Sequence, residues 1–320
     1  MKSYGTAEDP FPELPPAASL YSVQWGGTVK WPTMPFSYLE KSGSAMPLLS
    51  DSYTGTISFW FRVNGTLAAD VNKIVPIVFV PAPRLFSDAF DFGLSVFISR
   101  ITMLDDIGAL RFSVQIQRQP GSLESIFEVE SEETESSSPA YLAPDLCDNK
   151  WGHFHAWWDA LSATGLVTVN KIAYGPYIHA FSIDRSDPSS PQSVDYLPAQ
   201  APWTATPRFF GAWPNFDAAA VVPPDDLSAN HLVSLAHVWV DTRRTITDVS
   251  KFVTDDGRPK GLGPAGEFLD DDGEVILGTG PDFYFSGGPS GFIANRGTGG
   301  EVTLVGAAPV SQSVAVKIGA

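Results

Sequence analysis

The sequence has little cysteine, few charged residues and no long hydrophobic run. Its single cysteine, Cys147, excludes an internal disulfide and a cysteine-rich zinc site. No segment approaches the roughly 18 consecutive apolar residues of a membrane-spanning helix, so membrane insertion is not expected. Residues 1–19 contain no apolar run of signal-peptide length, so we expect synthesis in a cytoplasm without a standard export signal.

Basic residues are also scarce, with 20 Lys and Arg against 36 Asp and Glu and a net charge of −16. Because phosphate backbones are bound by Lys and Arg, nucleic acid is not an expected partner. Hydrophobic residues make up 43% of the chain, which is enough to build a folded core. The 28 glycines and 27 prolines favour turns over long helices.

Eight short segments have the composition of β-strands, being rich in β-branched and aromatic residues and bounded by turn-forming residues. These predicted strands are 22–31, 55–63, 73–80, 92–100, 109–117, 151–160, 165–172 and 235–241. Because no amphipathic helices separate them, they favour an antiparallel sandwich.

Other segments predict loops and short helices. Residues 128–139, EVESEETESSSP, predict a solvated acidic loop. Residues 226–234 and 245–253 each predict a short helix. Thr247 or Asp248 is the expected N-cap of the second.

The composition predicts three regions along the chain. Residues 1–19 form a Pro-rich N-terminal arm and residues 20–254 form the sandwich. Residues 255–320 form a Gly-rich extension of turns and short strands, which we expect to serve in docking or oligomerisation.

Two of the strand segments, GTISFWFRV and WGHFHAWWDALSATGLVTVN, resemble laminin-G-like domains of the concanavalin A-like superfamily. The second segment matches that family's block at Trp151, His153, Trp158, Asp159, Gly165 and Asn170. The resemblance implies an all-β fold, an antiparallel concanavalin A-like (laminin-G-like) β-sandwich jelly roll with a Gly-rich β/turn C-terminal extension.

The C-terminal region is similar to the ending of concanavalin A-like proteins encoded by tailed bacteriophages and prophages. The matching residues are Asp256-Gly257-Arg258-Pro259, Leu262-Gly263, Gly266, Gly280-Pro281, Phe283-Tyr284-Phe285 and Asn295 to Gly300. This resemblance implies a non-enzymatic virion structural protein, a head decoration or a tail or fibre component, assembled in the bacterial host cytoplasm. Its expected partners are other virion proteins and further copies of itself. The acidic insert LDDDGEVILG departs from the shorter family pattern.

A His-x-His pair, His153 and His155, lies in the segment 151–160 close to Asp159. On a strand these residues share one face with Trp151 and Trp157, while Phe154, Ala156, Trp158 and Ala160 form the opposite, apolar face that suits a core. A metal site needs a further ligand that the sequence does not supply. We therefore expect a structural histidine pair that points outward or is partly buried.

Alternating carboxylates offer a glycoside hydrolase alternative, because Glu128, Glu130 and Glu132 have the spacing that paired acid/base catalysis can use. We expect these residues to lie in the acidic loop instead. Gly261, Gly263 and Gly266 spell GxGxxG without the strand before and helix after that a dinucleotide site requires. No cofactor is therefore predicted.

Calcium remains a candidate ion, since sandwich loops often carry carboxylates and carbonyls. The acidic clusters are Asp225 and Asp226, Asp255 and Asp256, and Asp270 to Asp272, none with a diagnostic spacing. Solvated turns are the expected role of each cluster.

A carbohydrate-binding adhesin that recognises a host surface glycan is the alternative function. Its candidate binding residues are the aromatics of a Pro-rich segment: Trp203, Phe209, Phe210, Trp213 and Phe216. Tyr174, Tyr177 and Tyr196 are further candidates. The competing interpretation is an aromatic plug over one end of the core or a subunit interface.

Overall fold

The computed structural model describes residues 23–24, 38–41, 49–63, 74–81, 92–102, 108–118, 123–131, 151–174, 177–184, 186–187, 189–210, 233–287, 292–305 and 310–311. Several predictions fall outside these residues: the arm at 1–19, Glu132 and the rest of the acidic loop, Cys147, Trp213, Phe216, Asp225 and Asp226. The described strands are β1 Val23–Gln24, β2 Tyr38–Lys41, β3 Thr54–Val63, β4 Ile74–Pro81, β5 Phe92–Thr102, β6 Gly108–Arg118, β7 Leu123–Glu130, β8 Trp151–Asp159, β9 Thr164–Val169, β10 Ile172–Tyr174, β11 Tyr177–Asp184, β12 Gln192–Val194, β13 Arg208–Phe209, β14 Val233–Asp241, β15 Phe283–Phe285, β16 Val302–Val305 and β17 Val310–Ser311.

The strands form two antiparallel sheets. The first has eight strands in the order β10-β9-β8-β3-β14-β1-β17, with β15 also paired to β14. The second has nine strands in the order β12-β11-β7-β6-β5-β4-β13-β2-β16. The all-β antiparallel jelly-roll sandwich predicted from the sequence is confirmed.

Strand alternation places one face of each sheet in a shared core. On β8, Phe154, Ala156 and Trp158 point inward as predicted and are fully buried. The Phe154 ring lies 4.7 Å from the Phe59 ring of its own sheet and 5.1 Å from the Phe112 ring of the other sheet, measured between centroids. These aromatic contacts join the two layers at the centre of the sandwich.

The C-terminal region shares this core with the sandwich. β15 pairs with β14, β16 with β2, and β17 with β1, so the last strands extend both sheets. Phe283, Phe285 and Phe292 are buried in the same apolar cluster as β8. The segment predicted as an extension therefore contributes directly to the packing of the sandwich.

A second apolar layer covers the outer face of the eight-stranded sheet. After β14 the chain crosses this face as a strap, residues 243–253, which contains one 3₁₀ turn at Val249–Lys251. Asp248 is the N-cap of this turn and accepts a hydrogen bond from the Ser250 N–H. It is one of the two residues that were predicted as the cap. The buried residues of the layer are Trp60, Ala236, Trp239, Phe252, Val253, Phe268 and Tyr284.

The other predicted helix, at 226–234, overlaps β14 at residues 233–234, where the backbone is extended. The rest of that segment lies outside the described residues. None of the helices in the part of the chain that the structure describes has the length and apolar character needed to span a bilayer.

Three consecutive turns of one geometry follow the strap, at residues 254–258, 263–267 and 270–274, and we call them the turn array. In each turn the first N–H donates to the carbonyl of the fifth residue, at 2.8, 2.8 and 2.9 Å. The fourth residue is always glycine with a left-handed backbone: Gly257, Gly266 and Gly273 have φ of 84°, 83° and 82°. The Gly-rich composition thus encodes a repeated turn.

Candidate functional site

The outer face of the nine-stranded sheet carries a row of carboxylates. On β7, Phe127 and Val129 are buried in the core, so Glu124, Glu128 and Glu130 share the opposite face. The neighbouring strands place polar and aromatic side chains beside them. We define the acidic sheet face as Glu124, Glu128 and Glu130 on β7, Gln115 and Gln117 on β6, and His179 and Phe181 on β11.

Two of these carboxylates are bonded across β6 and β7. The Ser113 hydroxyl donates to Oε1 of Glu128, and the Gln117 amide donates to Oε1 of Glu124 at 2.6 Å. Buried polar groups need such partners, and Glu124 is only 4% exposed. These bonds explain why carboxylates are tolerated on a largely covered strand.

The third carboxylate pairs with a histidine. Nε2 of His179 lies 2.8 Å from Oε1 of Glu130, whose side chain is 2% exposed while that of His179 is 45% exposed. Phe181, two residues further along β11, is 39% exposed. The most exposed members of the acidic sheet face are therefore the His179 imidazole and the Phe181 ring, with Gln115 and Glu128 half-buried and the Glu130 carboxylate buried.

The prediction of a solvated loop beginning at residue 128 is wrong for residues 128–130, which end β7. Glu128 and Glu130 do alternate on one strand, but Glu130 is 1% exposed and bonded to His179. A glycoside hydrolase needs two carboxylates that both reach the substrate. Glu128 and Glu130, the described members of the series, do not form such a pair because Glu130 is buried.

Three of the predicted carbohydrate-binding residues are buried. Trp203, Phe209 and Phe210 are between 0% and 2% exposed and belong to the main core. The Phe209 ring lies 4.7 Å from the Phe283 ring. They therefore offer no ring face to a sugar, because strands and tail residues close over them. The competing interpretation of an aromatic plug agrees with this packing.

The tyrosines have separate positions. Tyr174 ends β10 and Tyr177 begins β11, so they lie on different sheets. Tyr196 is partly buried, and its hydroxyl donates to the carbonyl of Ala160 at 2.8 Å.

His153 and His155 share the outer face of β8 as predicted, but the strap buries them to 1% and 0% exposure. Nε2 of His153 lies 2.8 Å from the Ser58 hydroxyl, and Nε2 of His155 lies 2.9 Å from the Ile246 carbonyl oxygen. Among the described residues, no three His, Cys, Asp or Glu side chains are grouped closely enough to hold a metal ion.

The remaining motifs are parts of turns. Gly263 and Gly266 of the GxGxxG sequence close the second turn of the turn array, with the Gly266 N–H donating to the Gly263 carbonyl at 2.9 Å. In the third turn, Oδ1 of Asp270 accepts hydrogen bonds from the backbone N–H groups of Asp272 and Glu274. Asp255 and Asp256 lie in the first turn.

The acidic sheet face was not predicted as a site, although its signal is present in the sequence. In LESIFEVE, a Leu-Ser-Phe-Val series alternates with Glu-Ile-Glu-Glu, which is the pattern of a strand with one polar face. YIHAFSID on β11 has a similar alternation that places His179, Phe181 and Ile183 together.

Three solved structures are similar to this chain at low sequence identity. A native heptameric SAP-like pentraxin from Limulus polyphemus gives a TM-score of 0.42 at 10% sequence identity, over 92% of this chain and 97% of that chain. The binding domain of botulinum neurotoxin serotype D gives 0.33 at 11% identity, over 75% of this chain and 50% of that one. The receptor-binding domain of botulinum neurotoxin mosaic serotype C/D gives 0.32 at 11% identity, over 70% and 43%. No protein-family model and no curated protein sequence matches the chain.

Proposed function

We propose that this protein is a non-enzymatic structural component of a tailed-bacteriophage virion that displays its sandwich on the particle and assembles with other virion proteins. The observation that carries the proposal is the role of the C-terminal residues that resemble phage proteins. Those residues build the turn array and the end of the region. The Gly266 carbonyl ties the array to the sandwich by accepting from the indole N–H of Trp239 on β14 at 2.9 Å.

Asn295 organises the end of this region. Its Oδ1 accepts from the N–H groups of Tyr284 and Gly297, both at 2.9 Å, and its Nδ2 donates to the carbonyls of Asp282 and Gly300 at 3.0 and 2.8 Å. One side chain therefore makes four bonds to four backbone groups. Such a pre-organised segment suits a protein that must present a fixed surface to assembly partners.

Close backbone approach explains the glycines that follow. A Cβ on Gly297 or Gly299 would lie 2.6 Å from the Asp282 carbonyl oxygen, closer than a methyl group can approach. The asparagine and glycines of the phage-like ending thus have structural roles in this chain, which supports a shared architecture.

Mass spectrometry of purified particles from the source organism tests the proposal. We expect the chain to be present in stoichiometric amounts and an antibody against it to label intact particles in electron micrographs. Buried or absent epitopes on intact particles would contradict surface display. Absence of the chain from purified particles would overturn the virion assignment.

A carbohydrate-binding adhesin is the second candidate, and the acidic sheet face favours it. Phe181 exposes part of an aromatic ring beside the half-exposed imidazole of His179. Sugar sites combine an aromatic face with a few polar groups that fix orientation. This face therefore replaces the buried Trp203 cluster as the candidate glycan surface.

Phe181→Ala is expected to weaken binding to any glycan that the wild-type protein selects from an array by at least about tenfold, or roughly 1.4 kcal/mol. Ile172→Ala is the matched control, because Ile172 is 59% exposed on an edge strand of the other sheet. It should bind like the wild type. Unchanged binding by Phe181→Ala, or no glycan bound by the wild type, would contradict the adhesin function.

A further inference from the structure

The two histidines beneath the strap form a buried, titratable pair that the proposed function does not use. Both imidazoles are enclosed between β8 and the strap, and Nδ1 of each has no hydrogen-bond partner among the described residues. A buried ring nitrogen without an acceptor cannot hold an added proton at low cost. The closed structure therefore requires both rings to be neutral.

One of the rings holds the strap directly. The Ile246 carbonyl can only accept, so Nε2 of His155 carries the proton and donates to it at 2.9 Å. Nδ1 of His155 then carries no proton. A second proton would have to enter at this enclosed nitrogen, for which the described residues provide no acceptor.

The strap is also tied to β3 and to the histidine rings. The Thr56 hydroxyl donates to the Arg244 carbonyl at 2.7 Å and accepts from the Ile246 N–H at 2.8 Å. The Phe252 ring lies 5.4 Å from the His155 ring and 6.3 Å from the His153 ring, measured between centroids. Neutral imidazole rings can pack against Phe252, whereas charged imidazolium rings would lose their hydration in this contact.

The surrounding charges do not reverse the effect of burial on the pKa values of the two histidines. Burial lowers the pKa of His153 well below its ordinary value, and neighbouring His155 lowers it further. Burial also lowers the pKa of His155 to about 4, against smaller opposing effects of the Ile246 carbonyl and Asp248. The other charged groups around the layer have both signs. The cations are Arg62 over the Trp151 ring, Arg244 over the Trp239 ring, Lys251 over the Phe268 ring and Lys171, which donates to the Thr254 carbonyl. The carboxylates are Asp241, bonded to Arg244, and Glu267, which acts on Tyr284.

We propose that His153 and His155 form an acid-sensitive latch, in which protonation of the pair releases the strap from the eight-stranded sheet. Release would expose Trp60 and Trp239 on the sheet together with the Phe252 ring of the strap, which now pack in one buried layer. The nine-stranded sheet and the main core take no part in the change.

The pH dependence of strap opening follows from histidine protonation in the closed and open forms. Above an ordinary histidine pKa of about 6.5 both rings are neutral whether the strap is closed or open, so the latch keeps its full stability. As the pH falls from there towards 4, the open form binds protons that the closed form excludes. The free energy of opening therefore decreases across this window and levels off once the closed form also titrates.

Hydrogen–deuterium exchange of the full chain between pH 7.5 and 4 tests the latch, after correction for the intrinsic pH dependence of exchange. We expect the protection of residues 245–268 to fall by at least about tenfold within this range. Residues 94–98 of β5, in the main core, should keep their protection. Constant protection of the strap, or simultaneous loss across the whole chain, would overturn a local latch.

The double variant His153→Gln/His155→Gln supplies the specific control, because a glutamine amide can donate to Ile246 without titrating in this range. It should lose the pH dependence of strap protection, and an unchanged dependence would overturn the proposal. If the variant fails to fold, exchange of the imidazole Cε1 proton in the wild type gives the two histidine pKa values directly. Values near 6.5 for both rings in the closed protein would then contradict the latch.

Discussion

Replacing Asp282 with alanine is expected to lower the free energy of unfolding by about 2–4 kcal/mol, because each buried donor left without an acceptor costs about 1–3 kcal/mol. The Asp282 side chain is 3% exposed. Its Oδ2 accepts from the Thr242 N–H at 2.9 Å and from the Thr242 hydroxyl at 2.6 Å, while Oδ1 accepts from the Arg243 guanidinium at 2.8 Å. The substitution leaves the buried N–H and hydroxyl of Thr242 without this acceptor, whereas the Arg243 side chain is 60% exposed and can be hydrated.

Asp282 joins the end of β14 to the start of β15, so its loss should also loosen the C-terminal region. Urea denaturation, with the midpoint and slope compared between variants, measures the effect. Asp271→Ala is the control, since Asp271 is an exposed carboxylate in the third turn of the turn array, and its midpoint should match the wild type. Equal midpoints for the Asp282 and Asp271 variants would show that the buried network contributes nothing to stability.

Gly266→Ala is expected to destabilise the protein by about 2–4 kcal/mol. A left-handed backbone costs a residue with a Cβ about 1 kcal/mol, and forcing a methyl group into a packed layer costs about 1–3 kcal/mol more. Gly266 has φ of 83°, and its added Cβ would lie 2.7 Å from Cγ of the buried Tyr284 ring. Both penalties therefore apply at this position.

The turn array supplies a matched control at Gly273. Gly273 has φ of 82° in the same turn geometry, but a Cβ there would meet nothing within 4 Å. Gly273→Ala should consequently cost only about 1 kcal/mol, the backbone part of the penalty. Thermal and urea unfolding of the two variants separate the backbone cost from the steric cost. Equal losses of stability would contradict the steric contact with Tyr284.

The strands of the main core could be predicted from the sequence because their signal is local. Phe154, Ala156 and Trp158 alternate with polar or amphipathic residues, and this alternation alone specifies the buried face. β7 was missed because Glu128 and Glu130 indicate solvent exposure when read without their partners. Those partners, Ser113 and His179, come from strands that only the folded sheet brings alongside.

The candidate sites depended more strongly on long-range packing. The composition of the Pro-rich segment that contains Trp203 and Phe209 fits an exposed aromatic loop and a buried aromatic plug equally well. Only the contact with Phe283, far along the chain, distinguishes the two. The same holds for His155, whose outward direction was predictable while its burial depends on the Ile246 region of the strap.

The turn array gives the acidic segment LDDDGEVILG a simple architecture. The inserted LDDDGEVILG contains the whole third turn, residues 270–274, and its two backbone hydrogen bonds are internal to that turn. At the last residue of this segment and at the two residues after it, the Arg244 guanidinium donates to the carbonyls of Gly278, Thr279 and Gly280, which returns the chain to the sandwich. The third turn is therefore a self-contained module, whose length can change without altering the bonds of Arg244 or the sheets.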